Sequence, residues 1–288
     1  MAVNKSNPNI KRSEGYFRGK DDIELFFQAW TPAKPYGTLV INHGLGEHTD
    51  SYQRLVDGLI DSNIQCIAWD MRGHGRSEGK RGVVHRFSDY SADLVIFLKH
   101  IKNDISKQPI AMLGHSMGGL VTINTLLRYP DLDIKCAVLS APFLGVQMKV
   151  PEVKRVGAKY LADYLPSVTM WNEIHDRDLS HDKEVLAEFP KDPLRHDRIS
   201  PRLFLDMVSY ADRIRREGKN LKIPIFFQLS GQDKIVSTRA SVDFFDTIAS
   251  TEKEMKIYEH SYHEIYNDIE RQQAYSDIKA FLKKHLKA

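Results

Sequence analysis

The chain has 288 residues, 42% of them apolar and 27% charged, with a formal net charge of +3. That is enough for one large or two ordinary soluble domains, and the interspersed charges form no basic stripe with interleaved aromatics of the kind that binds nucleic acid. Cys66 and Cys136 lie in apolar strand-like runs and read as buried thiols, with no CxxC or Cys/His cluster to suggest zinc.

The opening MAVNKSNPNIKRSEG is polar and has no apolar h-region, and no later run approaches the ~18 apolar residues of a membrane span. A cytoplasmic protein is expected, with peripheral membrane contact left open. Tyr16-Phe17 and Ile23 to Trp30 flank Arg18-Gly-Lys-Asp-Asp22 and predict an antiparallel hairpin at a sheet edge, ended by Thr31-Pro32. Thr38 to Asn42 is a continuous apolar run, as expected of a parallel strand buried on both faces. It leads into His43-Gly-Leu-Gly-Glu-His48, after which Leu55, Val56, Leu59 and Ile60 recur at helical spacing. Gln65 to Trp69 predicts the next strand, closing at Asp70. A helix reaching about Ile105 follows, with Ser88 or Asp89 as its cap.

Ile110 to Leu113 then meets Gly114-His-Ser-Met-Gly118, followed by an amphipathic run ended by Tyr129-Pro130. Strand, sharp turn, helix is the context that makes G-x-S-x-G a nucleophile elbow, lifting Ser116 out of the sheet at a helix N-terminus. Cys136 to Leu139 predicts another buried strand. Alternating strands and helices imply a doubly wound, mostly parallel sheet with helices on both faces. From 143 to 209 the alternation stops. Pro151, Pro166, Pro190, Pro193 and Pro201 break short helical patterns there, and apolar residues such as Val146, Met148, Val153, Val156, Leu161, Met170 and Trp171 have no strand to serve. A structureless loop of that length is anomalous, so 143–209 is expected to be a helical cap inserted in a core of 1–142 and 210–288. The pattern resumes with a strand at Ile225 to Leu229, a helix at about Thr238 to Ile248, a strand at Met255 to Tyr258 and a helix from Ile269 to His285.

A serine hydroxyl needs a general base, and the base an orienting carboxylate. Ser116, Asp233 and His263 all follow predicted strands, where catalytic groups of such sheets lie, and they run in the order nucleophile, acid, base. His260 competes with His263 but falls closer to the last strand. Asp70 also ends a strand but precedes the serine. The oxyanion needs two backbone N–H donors; Met117, after the nucleophile, and Leu45, in the loop after Asn42, are the candidates.

At His43-Gly-Leu-Gly-Glu-His48, Asp70-Met-Arg-Gly-His-Gly-Arg-Ser77, Gly114-His-Ser-Met-Gly-Gly119, Gly231-Gln-Asp233 and Tyr262-His263, the chain resembles the α/β-hydrolase superfamily. Within it, the likeness is to serine hydrolases of the monoacylglycerol lipase and lysophospholipase type. The resemblance implies an α/β-hydrolase fold, a mobile cap over an apolar acyl tunnel, a small lipid ester as substrate, and no metal or organic cofactor. It also implies that Gly44, Glu47, Ser51, His115, Phe143 and Tyr266 line the substrate pocket, with polar handles for glycerol among the family's positions. Glu47 is kept, but the Arg expected four residues later is Ser51, and the His expected three residues after the catalytic one is Tyr266. Hydrolysis of monoacyl lipid esters through an acyl-serine is the expected activity. The alternatives are a general short-chain carboxylesterase, an amidase or aminopeptidase on the same fold, and a non-catalytic ligand-binding protein. An aminopeptidase would use cap carboxylates to hold an amine; Glu152, Asp163, Glu173, Asp176 and Asp178 are available, offset by Lys149, Lys154, Arg155 and Lys159. Val153, Val156, Tyr160 and Leu161 are spaced like one helix face suited to a membrane surface. No oligomeric state is assigned.

Overall fold

The computed structural model describes residues 10–147 and 152–287, the side chains of 152–156 excepted. Met148, Lys149 and Pro151, the side chains of Glu152, Val153, Lys154, Arg155 and Val156, and most of the opening polar segment therefore lie outside the described residues.

β1 (Ile10–Arg18) and β2 (Glu24–Pro32) form the expected edge hairpin, in register from Ile10↔Pro32 to Arg18↔Glu24. Both strands run further than the apolar pattern indicated. Lys11, Arg12, Ser13 and Glu14 stay exposed on the edge, where backbone pairing needs no apolar side chain, and Pro32 is tolerated because it ends its strand.

β3 (Gly37–Asn42), α1 (Gln53–Gly58), β4 (Ile64–Trp69), α2 (Ser88–His100), β5 (Ile110–His115), α3 (Met117–Arg128) and β6 (Ile134–Ser140) follow in turn. Neither Ser88 nor Asp89 caps α2. Asp89 instead accepts the Arg86 N–H and pairs with Lys20 Nζ at 2.8 Å. The helix ends at His100, and Ile101–Ile105 winds as one wider π-type turn.

The 143–209 stretch holds α4 (Glu152–Tyr164), β7 (Met170–Trp171), α5 (Lys183–Glu188), β8 (Arg198–Ile199) and α6 (Pro201–Ile214). β7 and β8 pair as a small antiparallel ribbon that the sequence pattern did not signal. α6 runs through the expected boundary at 209/210, because Leu203, Met207, Ala211 and Ile214 make one continuous buried face that packs on α3 and α4. β9 (Ile225–Ser230), α7 (Thr238–Thr247), β10 (Lys253–Tyr258) and α8 (Arg271–Leu286) complete the chain.

The large sheet is ordered β1-β2-β4-β3-β5-β6-β9-β10, and every pair beyond β2–β4 is parallel. Side chains alternate between its faces. Leu39, Ile41 and Leu113 pack with Leu55, Ile278 and Phe281 of α1 and α8. Val40 and Met112 pack with Phe97, Leu120 and Phe244 of α2, α3 and α7. Covering both faces leaves no polar stripe on β3, β4 or β5, which explains their uninterrupted apolar runs. The same cover buries both cysteines and pushes their thiols up to about 12.

Asp70 ties two loops to the carboxyl edge of this sheet. Its Oδ1 accepts the Thr49 N–H and its Oδ2 the Arg76 N–H, each at 2.7 Å. It is fully buried and both its oxygens are spent on loop N–H groups, a structural place for the sequence's rival acid.

Candidate active site

β5 ends at His115 and α3 begins at Met117, so Ser116 occupies the turn between them, with φ 51° and ψ −119°. A non-glycine residue held there costs about 1–3 kcal/mol and needs neighbours that impose it. Ser116 N–H donates to the Ser140 carbonyl and Phe143 N–H donates to the Ser116 carbonyl, each at 3.0 Å. The helix start also lies hard against the end of β3, where a Cβ on Gly118 would meet the Asn42 carbonyl oxygen at 2.1 Å. Only glycine permits that approach.

Asp233 follows β9. Its Oδ1 accepts the Ile235 and Val236 N–H groups at 2.8 and 2.9 Å, and its Oδ2 faces His263 Nδ1 at 2.7 Å. Nδ1 is thereby the donor, leaving Nε2 as the basic nitrogen. Burial works against the His263 imidazolium, but Asp233, with Glu264 and Glu47 further off, outweighs it and holds His263 above the ordinary imidazole value. His260 is exposed, with its backbone N–H on Glu270. Ser116 and His263 border the same cavity, and among the described residues they are not hydrogen-bonded to each other. Apo sites often carry this contact long, to tighten around substrate.

Two cavities meet at Ser116 and Leu45. One, of about 450 Å3, is bordered by Gly44, Glu47, His115, Arg195, His263 and Glu264 among others. The other, of about 140 Å3, is lined by apolar side chains including Phe143, Val146, Ile199, Phe204 and Met207. Ser51 and Tyr266 reach neither. They border a void of about 10 Å3 behind Glu47 and His115, and the Tyr266 hydroxyl is spent on Gln228 Oε1 at 2.5 Å. The Ser51 hydroxyl is buried with no partner among the described residues.

The glycine-rich loop after β3 is organised by Glu47, whose Oε2 accepts the Gly44 N–H at 2.7 Å and the Tyr52 hydroxyl at 2.8 Å. That takes Gly44 out of contention as an oxyanion donor. Leu45 N–H has no protein acceptor among the described residues, and Met117 N–H, first in α3, is one of that helix's orphan donors. Gly46, at φ +79°, lets the loop turn beneath the His196 carbonyl, which a Cβ would meet at 2.1 Å. His196 N–H in turn donates to the Gly46 carbonyl at 3.1 Å.

Burial pulls His115 down to about 4, and its Nδ1 lies 3.1 Å from the Ser140 carbonyl, so it is a neutral ring packed 4.8 Å from that of His263. Burial opposes ionisation of Glu47, but His115, Arg195 and the Gly44 N–H outweigh it and keep its carboxyl below the usual range. Burial raises Glu264. Sequence reasoning missed three groups here. Glu264 was signalled only by adjacency to His263. Arg195, 3.0 Å from Glu264, and Asp192, 2.7 Å from His48 Nε2, sit in a proline-broken segment with no periodicity to mark them.

Titrating the His263 ring by NMR is expected to give a pKa above the ordinary value of about 6.5, and Asp233→Asn to lower it. A wild-type value below 6.5 contradicts the charge arrangement described.

A family model, Hydrolase_4 (Serine aminopeptidase, S33), matches residues 33–270. An uncharacterized abhydrolase domain-containing protein of Dictyostelium discoideum is 28% identical over 268 residues, covering 92% of this chain but only 28% of that protein's length. The monoacylglycerol lipase of Mycolicibacterium smegmatis is 28% identical over 277 residues, 96% of this chain and 98% of that one. Among solved structures, the monoacylglycerol lipase of Paleococcus ferrophilus superimposes with a TM-score of 0.81 at 26% identity, covering 96% of this chain and 99% of that one. With its mostly parallel sheet, its strained serine between β5 and α3 and this match across most of its length, the chain belongs to the Hydrolase_4 family of the α/β-hydrolase superfamily.

Proposed function

We propose that the protein is a serine hydrolase cleaving carboxylic esters of monoacyl lipids, with Ser116 as nucleophile, His263 as base and Asp233 as its orienting acid. One observation carries this reading: an apolar cavity and a polar chamber both border the same serine, which suits an acyl chain in the one and an alcohol in the other. The relatives named monoacylglycerol lipase support the same class.

His263 Nε2 takes the Ser116 proton as Oγ attacks the ester carbonyl. The oxyanion is received by the Leu45 and Met117 N–H groups, each donor of this kind being worth ~3 kcal/mol in the transition state. Asp233 stabilises the imidazolium, which then protonates the departing alcohol. Water, deprotonated by the same nitrogen, attacks the acyl-serine carbonyl, and the proton returns to Ser116 Oγ as the carboxylic acid leaves. Residues 143–209, with the rest of α6, act as the cap over both cavities.

An aminopeptidase reading draws on the carboxylates around the polar chamber. Most are already engaged: Glu264 with Arg195, Asp192 with His48 and Asp197 with Arg198. Asp178 pairs with Lys234 and Asp163 with Arg202, leaving little of the cap's acid to hold a substrate amine.

On p-nitrophenyl esters of graded chain length, Ser116→Ala is expected to lose at least ~10³-fold in kcat, and the wild type to favour medium or long chains over acetyl. Retained turnover in the variant removes the nucleophile assignment. Acetyl preference argues for a short-chain carboxylesterase, and faster cleavage of peptide arylamides for the aminopeptidase.

Among the described residues no helix is long and apolar enough to cross a membrane. We further propose that the cap rests on a lipid surface through Tyr160, Tyr164, Leu165, Val168, Met170 and Trp171. All six are exposed, and Met170 and Trp171 also border the apolar and polar cavities respectively. A substrate tail leaving a bilayer would then meet the entrance directly. Tyr164→Glu with Leu165→Glu is expected to reduce co-sedimentation with phosphatidylcholine vesicles; wild-type protein remaining wholly in the supernatant overturns the idea.

A further inference from the structure

Asp233 holds the His263 ring through one atom, Nδ1. A single hydrogen bond leaves a ring free to swing, so the place of the base depends on what fixes the loop that carries it, between β10 and α8. We propose that Asp268 is a positioning residue for His263: its carboxylate fastens that loop to the 179–181 segment of the cap, so that the cap also sets the place of the general base. The proposal rests on the ester-hydrolase reading above and adds a determinant of its rate.

Asp268 is fully buried, and N–H groups from three directions converge on it. Its Oδ1 accepts the N–H groups of His181 and Ile269 at 2.8 and 2.9 Å. Its Oδ2 accepts the Tyr262 N–H at 2.5 Å and faces His181 Nδ1 at 3.1 Å. Opposite a carboxylate, that ring nitrogen is the donor. Tyr262 immediately precedes His263. On the other side, Glu264 N–H donates to the Leu179 carbonyl at 2.9 Å. The N–H groups of both neighbours of His263 are thus engaged at one joint. Glu264 bonds the 179–181 segment directly, and Tyr262 bonds the carboxylate that also holds that segment.

Side chains repeat the connection. The His181 and Tyr262 rings lie 3.6 Å apart, tilted 33° to each other. Lys234 Nζ stands 3.9 Å from the centre of the same tyrosine ring and pairs with Asp178 at 3.3 Å. Lys234 follows Asp233, and Gln232 N–H donates to the Ser261 carbonyl at 3.1 Å. The loops of the acid and of the base are therefore tied to each other and to 178–181.

Neither Asp268 nor His181 borders the two cavities at Ser116, so neither acts by touching substrate. A carboxylate is a costly filler for a buried joint, since its charge is taken out of water. An apolar side chain would pack there without that cost but could not hold these N–H groups. What Asp268 supplies is geometry, and a misplacement of ~1 Å near the chemistry is worth ~100-fold in rate.

The test counts Ser116 sites by fluorophosphonate labelling carried to completion and expresses kcat on p-nitrophenyl acetate and octanoate per labelled site. Asp268→Asn keeps the shape but turns an amide N–H2 towards donors that now meet an oxygen. It is expected to lower kcat per site ~10- to 100-fold on both esters, with KM within about 3-fold of wild type. Should that variant fail to fold, His181→Ala removes a side chain that is 31% exposed and leaves the carboxylate in place. It is expected to lower kcat per site ~3- to 10-fold, the range for losing one hydrogen bond to a charged group. A role in packing alone would reduce the number of labelled sites and leave kcat per site unchanged. A value within about 2-fold of wild type in folded Asp268→Asn, or in His181→Ala where the first does not fold, overturns the assignment. So does a loss confined to the octanoate or carried by KM, which marks a substrate contact. A wild type that turns over neither ester is a different failure and removes the ester-hydrolase reading itself.

Discussion

The whole arrangement depends on a sheet buried on both faces. With α1 and α8 against one side and α2, α3 and α7 against the other, the strands are lined mainly by apolar side chains, and the few buried polar ones, such as Thr38, Gln65 and Gln228, are spent on internal hydrogen bonds. The closeness of that packing shapes the elbow. α3 approaches β3 so tightly that Gly118 abuts the Asn42 carbonyl, and Ser116 is driven to a positive φ. The strain is held by hydrogen bonds to Ser140 and Phe143, both on or beside the next strand. The serine is thus presented by the core itself.

Around that serine, neighbouring imidazoles are given opposite characters. The His115 and His263 rings lie 4.8 Å apart, tilted 49° to each other. His115 leans on a carbonyl and is buried, which drops it to about 4. His263 leans on Asp233, and the carboxylate reverses the effect of burial. Separating two like groups by their partners is how a site assigns one as base while keeping the other neutral. Glu47 folds the glycine-rich loop with one oxygen and also borders the polar cavity.

Much of this was legible in the residues. The apolar runs at Thr38–Asn42, Ile110–Leu113 and Ile225–Leu229 became β3, β5 and β9, since two-sided burial writes an uninterrupted pattern. The positions of Ser116, Asp233 and His263 after strands foretold which groups would gather, and Asp233 does face His263. The 143–209 stretch was legible only as a break in rhythm. Two-residue strands such as β7 and β8 are too short to carry a period, and α6 crossed the drawn boundary because its apolar face packs on both α3 and α4. Ser51 and Tyr266 were assigned by their place in a family pattern, and the depth at which they sit depends on how Tyr52 and Gln228 pack, which no local pattern encodes. Arg195 was missed for a related reason: its partner Glu264 lies 69 residues away in sequence, so their pairing exists only once the chain has folded.

The account stands on Ser116 being a nucleophile activated by His263. Reaction with a fluorophosphonate, followed by intact-mass and peptide mapping, tests this most directly. The account predicts one adduct per chain on Ser116, lost in Ser116→Ala and slowed strongly in His263→Ala. An unreactive wild type, or an adduct on any other residue, would contradict it.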